Sequence, residues 1–306
     1  MKLTQEDGLI LNERVNRPLL DRRRPLPTTL YHYTTAEGLL GILETQKLWA
    51  THYAYLNDPS EVEYGRQLII EFLTDERTRV IQQPDFQGAD RWMGFLGLAE
   101  EAVLKARVQI GDPFLACFCE DGDLLSQWRR YGSDGRGYSL GVRPRALDSL
   151  GSDGIRLLDV RYDKEEQKRM VSEILNAVFE HLAPLFRNSR SSLEVGQISV
   201  KDLANDLIDS LCSFKNPAFE EEKEWRCVLH AQSAGLLWEL KDVRFRPGRN
   251  GIIPYVEVAL SEEGPLPIVE IIAGPGLDGS LAEKALGLLD EKYGLQISVR
   301  RSQFSA

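Results

Sequence analysis

The sequence predicts an α+β fold, and three observations predict it. Aromatic or β-branched runs of strand length occur at residues 30–33, 114–118, 137–142, 225–229, 255–260, 268–273 and 296–300. Apolar residues at helical intervals mark other stretches, with Phe95, Leu98, Ala102 and Val103 inside 89–109 and an amphipathic pattern over 280–293. Strands dominate the last third, and no internal repeat or low-complexity tract appears, which sets solenoid architectures aside.

Taken in order, residues 1–27 are polar, rich in arginine and closed by Pro25 and Pro27, which predicts an extended arm. The first strand then meets Thr34 and Glu37, whose spacing is that of a capping box, and a helix carrying Leu39, Leu40, Ile42 and Leu43 follows. Extended structure returns at 47–50. Asn57, Asp58, Pro59 and Ser60 read as a turn and the start of a helix to about Phe72, with the turn most simply a structural helix cap. After the helix over 89–109, Gly111, Asp112 and Pro113 break the pattern ahead of a buried strand at 114–118. Asp123 or Ser126 opens a short helix through Trp128 and Tyr131 that Gly132 ends. Met170, Ile174, Val178 and Leu182, then Leu203, Leu207 and Leu211, recur every four residues and predict a helical insertion at about 164–212. Residues 28–306 are expected to form a single α+β domain around it.

Composition excludes several function classes. With 306 residues, 42% hydrophobic and 27% charged, the chain is that of a globular protein with a sizeable core. A formal net charge of -10 opposes non-specific binding to nucleic acid. Arg22, Arg23 and Arg24 form the densest basic patch, too small for a nucleic-acid footprint and read as a solvated turn. No apolar run suits a signal-peptide core or a membrane span, so a cytoplasmic protein without a membrane partner is expected. Cys117, Cys119, Cys212 and Cys227 sit in mostly apolar sequence and read as reduced core thiols. The Cys117-Phe118-Cys119 spacing lacks the two-residue gap of zinc knuckles, so no metal site is expected with His32, His52, His181 or His230.

The residues with chemistry are few. In a strand Glu222, Glu224 and Arg226 share one face, where Arg226 would orient Glu224 and hold it ionised. The same pair also reads as a structural ion pair. His32 reads equally as a core histidine bonded to backbone, and Trp128 and Tyr131 as core aromatics. No nucleophile elbow or phosphate-binding glycine loop is present, and Gly274-Pro275-Gly276 is too short to be one.

The segments LYHYTTAEGLLGILETQKLWATHYAYLNDPSE, PFLACFCEDGDLLSQWRRYGSDGRGYSLGV, KNPAFEEEKEWRCVL and IVEIIAGPG, about a third of the chain, resemble in this order the bacterial domain-of-unknown-function family 2971 (DUF2971). In order and local structure they are also similar, more distantly, to the ADP-ribosyltransferase superfamily with a site of the His-Tyr-Glu type. That resemblance implies a split mixed β-sheet core and NAD as substrate, with no metal. It implies that His32 holds the ribose, with Tyr33, Thr34, Ser126 and Arg226 lining the NAD site. Trp128 and Tyr131 are rival aromatics against nicotinamide, and Glu224 is the catalytic carboxylate. No Tyr-Phe-Ala follows the second strand, where Phe118 and Cys119 stand instead. Glu222-Lys223-Glu224 matches the Glu-x-Glu of arginine-modifying members, with Glu222 as acceptor support, although Glu220 and Glu221 make it part of an acidic run. His32 and Glu224 are expected on one face of the sheet, opening into one cleft with the helix around residues 126–131. The acceptor of ADP-ribose would be water, a protein or a nucleic acid. The alternative is a non-catalytic binding or sensing module of the same fold, with a partner protein in bacterial stress, phage defence or a toxin system.

Overall fold

A computed structural model describes residues 21–56, 60–83, 88–109, 113–150, 155–188, 212–229, 242–248, 251–261 and 265–304. Along the chain the elements are β1 (Leu30–Thr34), α1 (Ala36–Thr45), β2 (Lys47–His52), α2 (Ser60–Ile81), α3 (Ala89–Gln109), β3 (Phe114–Cys119), α4 (Leu125–Arg130), β4 (Tyr138–Val142) and α5 (Pro144–Ser149). They continue with β5 (Arg156–Asp159), α6 (Lys164–Asn188), β6 (Glu224–Leu229), β7 (Arg244–Gly248), β8 (Gly251–Ala259), β9 (Ile268–Ala273), α7 (Gly279–Tyr293) and β10 (Ser298–Arg301). The protein is thus α+β. The turn at Asn57, Asp58 and Pro59, the first twenty residues of the arm, the later half of the expected insertion with Leu203, Leu207 and Leu211, and His230 lie outside the described residues.

The chain divides into two compact units, one from Met1–Arg23, Pro59–Asp112 and Val160–Ala218 and the other from Arg24–Asp58, Pro113–Asp159 and Phe219–Ala306. In the first, α2, α3 and α6 pack together. The four-residue repeat of α6 buries Met170, Ile174 and Val178, the stripe expected of an amphipathic helix. Its Phe179 meets Trp92 and Phe95 of α3 at ring-centroid distances of 4.8 and 5.4 Å. Helix α2 continues well past Phe72, because Leu73 and Val80 remain buried on its packed face, where Glu76 accepts from the Trp92 indole of α3 at 3.0 Å and pairs with Arg79.

The second unit holds a ten-stranded mixed sheet. Its order is β10-β9-β4-β1-β3-β2-β8-β7, with β6 on β3 and β5 on β6. Only the β10–β9 pair is parallel among the described ladders. β6 pairs with the whole of β3. The other edge of β3 is shared, with β1 joined at Cys119 and β2 at Phe114 and Leu115. Strands β1 and β2 therefore diverge along the middle of β3 and split the sheet. One face carries the core, in which Leu30, Phe114, Phe118, Trp225 and Leu229 are buried with α1 and α7 residues such as Leu39 and Leu286.

Two caps differ from expectation. Thr35, one residue later than Thr34, caps α1 by accepting from Gly38 N–H; Thr34 is still in β1, paired with Tyr138. A Cβ on Gly38 would lie 2.0 Å from Thr34 Oγ1, so this corner requires glycine. Helix α4 starts after Leu124 without a side-chain cap. Asp123 is instead spent on the Trp128 indole, which donates to it at 2.7 Å. The short elements β5, α5 and β7 carried no periodic signal.

Candidate functional site

The split in the sheet opens a cavity of about 590 Å³, lined entirely by residues of the second unit. β1 supplies His32, Tyr33 and Thr34, α4 supplies Gln127 and Arg130, and Tyr131 follows it. Glu222 comes from the approach to β6 and Glu224 from its first position, and Trp49, Thr51 and Arg246 come from β2 and β7. The cavity gathers six of the nine residues nominated from sequence: His32, Tyr33, Thr34, Tyr131, Glu222 and Glu224. The other three, Ser126, Trp128 and Arg226, are not among its lining residues.

His32 and Glu224 reach it differently from the expectation of a shared face. The ladder sets Tyr31 opposite Cys119 and Cys119 opposite Glu224. Directly paired residues share a face and neighbours along a strand alternate, so His32 takes the opposite parity from Glu224. Both line one cavity because it lies at the divergence of β1 from β2, where Ala116 and Phe118 line it together with Cys117 and Cys119. In that gap the Cys117 carbonyl accepts a hydrogen bond at 2.9 Å from His32 Nδ1. Since a carbonyl only accepts, Nδ1 carries the proton, and neutral His32 keeps Nε2 as an acceptor. Burial lowers the His32 pKa, opposed by the bond to Cys117 and aided by the positive field of Arg246.

Glu224 and Arg226 share a face, as strand alternation predicts. Arg226 Nε and Nη2 donate to the two Glu224 oxygens at 2.7 and 2.8 Å, a bidentate pair almost wholly removed from solvent. Arg24 fixes the start of the same strand. It donates to the Glu224 carbonyl at 3.4 Å, lies 5.4 Å from the Trp225 ring and pairs with Glu120 and Asp159. The arginine-rich arm is therefore more than a solvated turn, although Arg22 makes an exposed pair with Glu173. Glu222 is not on the strand. It ends a 3-10 turn at Pro217–Glu222, and Lys223, with φ of 41°, turns the chain through the left-handed region into β6. There Glu222 accepts from Arg130 at 3.0 Å.

The aromatics divide by depth. Trp128 is fully buried and stands edge-on to Tyr33 at 4.8 Å, a core contact. Tyr131 is half-buried and faces the cavity. The Tyr33 hydroxyl donates to the Asp121 carbonyl and accepts from Leu124 N–H at 2.9 and 2.8 Å, which ties the loop after β3 to β1 and leaves only the ring to the cavity. Burial pushes its pKa up. Ser126 Oγ is buried with no hydrogen-bond partner.

Sequence reasoning missed Gln127, Arg130, Trp49, Thr51 and Arg246 as lining residues. Arg130 stands in the quoted Ser-Gln-Trp-Arg-Arg-Tyr run, but nothing in a single sequence marks Arg246. Among the described residues no cluster of three or more His, Cys, Asp or Glu could hold a metal, and no helix is long and apolar enough to cross a membrane. No disulfide joins Cys117, Cys119, Cys212 and Cys227. Burial raises the Cys119 and Cys227 pKa values, so neither thiol is a ready nucleophile.

No curated protein and no solved structure matches the chain significantly. Residues 127–227 match a family described as a protein of unknown function, DUF2971, and over that stretch, which carries Tyr131, Glu222, Glu224 and Arg226, the chain is similar to that family.

Proposed function

We propose that the protein is an NAD-using enzyme of the ADP-ribosyltransferase type, with Glu224 as its catalytic carboxylate. The observation that carries this reading is the convergence of His32, Tyr131 and Glu224 on one cavity where the sheet splits. Cleavage of the nicotinamide–ribose bond leaves the bonding electron pair on nicotinamide and develops positive charge at the ribose C1′ and ring oxygen. A fixed carboxylate beside that carbon stabilises the charge as it forms. Arg226 holds Glu224 in place through both of its oxygens, which suits a group that must be fixed before the ligand arrives. Neutral His32 would accept from a ribose hydroxyl at Nε2, and Tyr131 would lie against the nicotinamide ring. An acceptor hydroxyl, water or a group on a protein or nucleic acid, then bonds to C1′ and loses its proton.

Incubation with NAD followed by assay of free nicotinamide tests the reading. Wild type should release it, and Glu224→Gln should lower turnover by about a hundredfold or more while binding NAD nearly as well. A Glu224→Gln protein with wild-type turnover would remove the catalytic assignment. A specific observation favours a second reading, a non-catalytic binding module: Arg226 already engages both Glu224 oxygens. NAD binding without nicotinamide release would support it.

A further inference from the structure

Five consecutive strands of the sheet, β6, β3, β2, β8 and β7, present one continuous face. Glu224 on β6 and Leu115 on β3 share it, since Cys119 opposes Glu224 and Leu115 has the parity of Cys119. Leu115 opposes Thr51 of β2, Thr51 opposes Tyr255 of β8, and Tyr255 opposes Arg244 of β7, two residues before Arg246. Glu224 and Arg246 thus point to the same side. Along the strand direction Arg246 lies level with position 113, at the start of β3, six residues from Cys119 and about 20 Å at ~3.3 Å per residue, and it stands four strands across the sheet from Glu224.

Arg246 differs from Arg130, the other arginine lining the cavity among the described residues, which pairs with Glu222. Arg246 Nη2 donates to Thr51 Oγ1 at 3.0 Å, and its guanidinium carbon lies 5.6 Å from the Trp49 ring. Its Nε is buried with no hydrogen-bond partner, and no described carboxylate pairs with it. Arg244, on the same strand face, is exposed and paired with Glu257 at 3.3 Å. A guanidinium presents five donors in a planar fork, and a buried donor left unmade is costly. Arg246 also lines the cavity, where an anionic group would meet this fork.

We propose that Arg246, with Thr51 and Trp49 beside it, is the anchor for a phosphate group of the cavity's ligand. Phosphate oxygens match the fork of an arginine and bond it more strongly than neutral acceptors do. Trp49, about a third exposed, supplies an aromatic surface beside the anion, as a phosphorylated ligand with a planar ring requires. The anion site stands on Arg246; it rests on the nicotinamide-cleavage reading only for the identity of the phosphate carrier, which would then be the diphosphate of NAD.

Calorimetric titration with inorganic pyrophosphate tests the site, and a parallel titration with NAD tests the carrier. Wild type should bind pyrophosphate, Arg246→Met should bind it about tenfold to a hundredfold more weakly, and Arg244→Met should stay within about twofold. No pyrophosphate binding, or equal binding by wild type and Arg246→Met, overturns the proposal. Pyrophosphate binding through Arg246 without NAD binding keeps the anion site and removes the NAD reading. NAD binding unaffected by Arg246→Met does the reverse. Should Arg246→Met fail to fold, Arg246→Lys takes its place, since it keeps the charge but loses the planar fork, and it should bind pyrophosphate about tenfold more weakly than wild type. Equal pyrophosphate binding by wild type and Arg246→Lys then overturns the proposal.

Discussion

Two arginines on one face of the sheet meet opposite circumstances. Arg226 is buried against a carboxylate that takes both of its donors, whereas Arg246, half-buried, holds a threonine hydroxyl and an aromatic ring and leaves Nε unsatisfied. The first pair is complete within the fold, and its work is to position Glu224. The second is incomplete until something anionic arrives. Self-satisfied charge in a cavity thus marks what orients, and unsatisfied charge marks what binds.

The largest expected effect breaks the complete pair. Arg226→Met leaves the Glu224 carboxylate in a buried setting without its bidentate partner, which should destabilise the protein by about 3–5 kcal/mol in chemical denaturation. Arg246→Met is the counterpart. It removes one hydrogen bond but also an uncompensated buried donor, so the unliganded protein should change by about 1 kcal/mol or less. A loss as large as that of Arg226→Met would mean that Arg246 is a structural cation and would erase the contrast. A smaller effect separates them again: pyrophosphate at ~100-fold its dissociation constant should stabilise wild type by about 2.7 kcal/mol in the same denaturation. It should do the same for Arg244→Met and not for Arg246→Met.

The contrast also separates what a single sequence reveals from what it hides. Glu224 and Arg226 were legible because strand alternation is a local rule, and a two-residue spacing suffices to place both on one face. Glu222 escaped that rule because Lys223 takes a left-handed conformation, so the strand periodicity starts only at Glu224, two residues too late to include it. His32 and Glu224 were expected on one face, but the register through Cys119 gives them opposite parity. What unites them is the divergence of β1 and β2, which is set by their pairing with β3, a strand distant from both in sequence. Trp128 and Tyr131 could not be ranked in advance, since depth depends on where Asp123 and Tyr33 lie. Arg246 left no signal at all. It lies in a short strand ending Pro247-Gly248, and its importance comes from Thr51, which is 195 residues away.

His32 gives the smallest and most diagnostic test, because it couples to the unpaired arginine. Its pKa is lowered from the ordinary 6.5 chiefly by burial, against the Cys117 hydrogen bond, with the Arg246 charge adding to the depression. In the unfolded chain the ring protonates as pH drops through about 6.5, while the folded protein holds it neutral until the lower folded value is reached. Over that window the unfolded state binds more protons, so stability rises with pH and falls as pH decreases, levelling off once both states are protonated. The difference between wild type and His32→Gln in urea unfolding, measured across this window, isolates the effect from the carboxylates that titrate below it. Arg246→Met removes one source of the depression and should therefore shrink the pH-dependent loss and move the His32 ring titration upward. Phe118, 5.6 Å from the His32 ring, and the Cys117 carbonyl stay in place in that variant, so burial and the hydrogen bond are held constant. If His32 titrates at or above 6.5 in wild type, its neutral role as an acceptor at Nε2 fails; if it titrates low but does not respond to Arg246→Met, the two ends of the cavity are electrically independent.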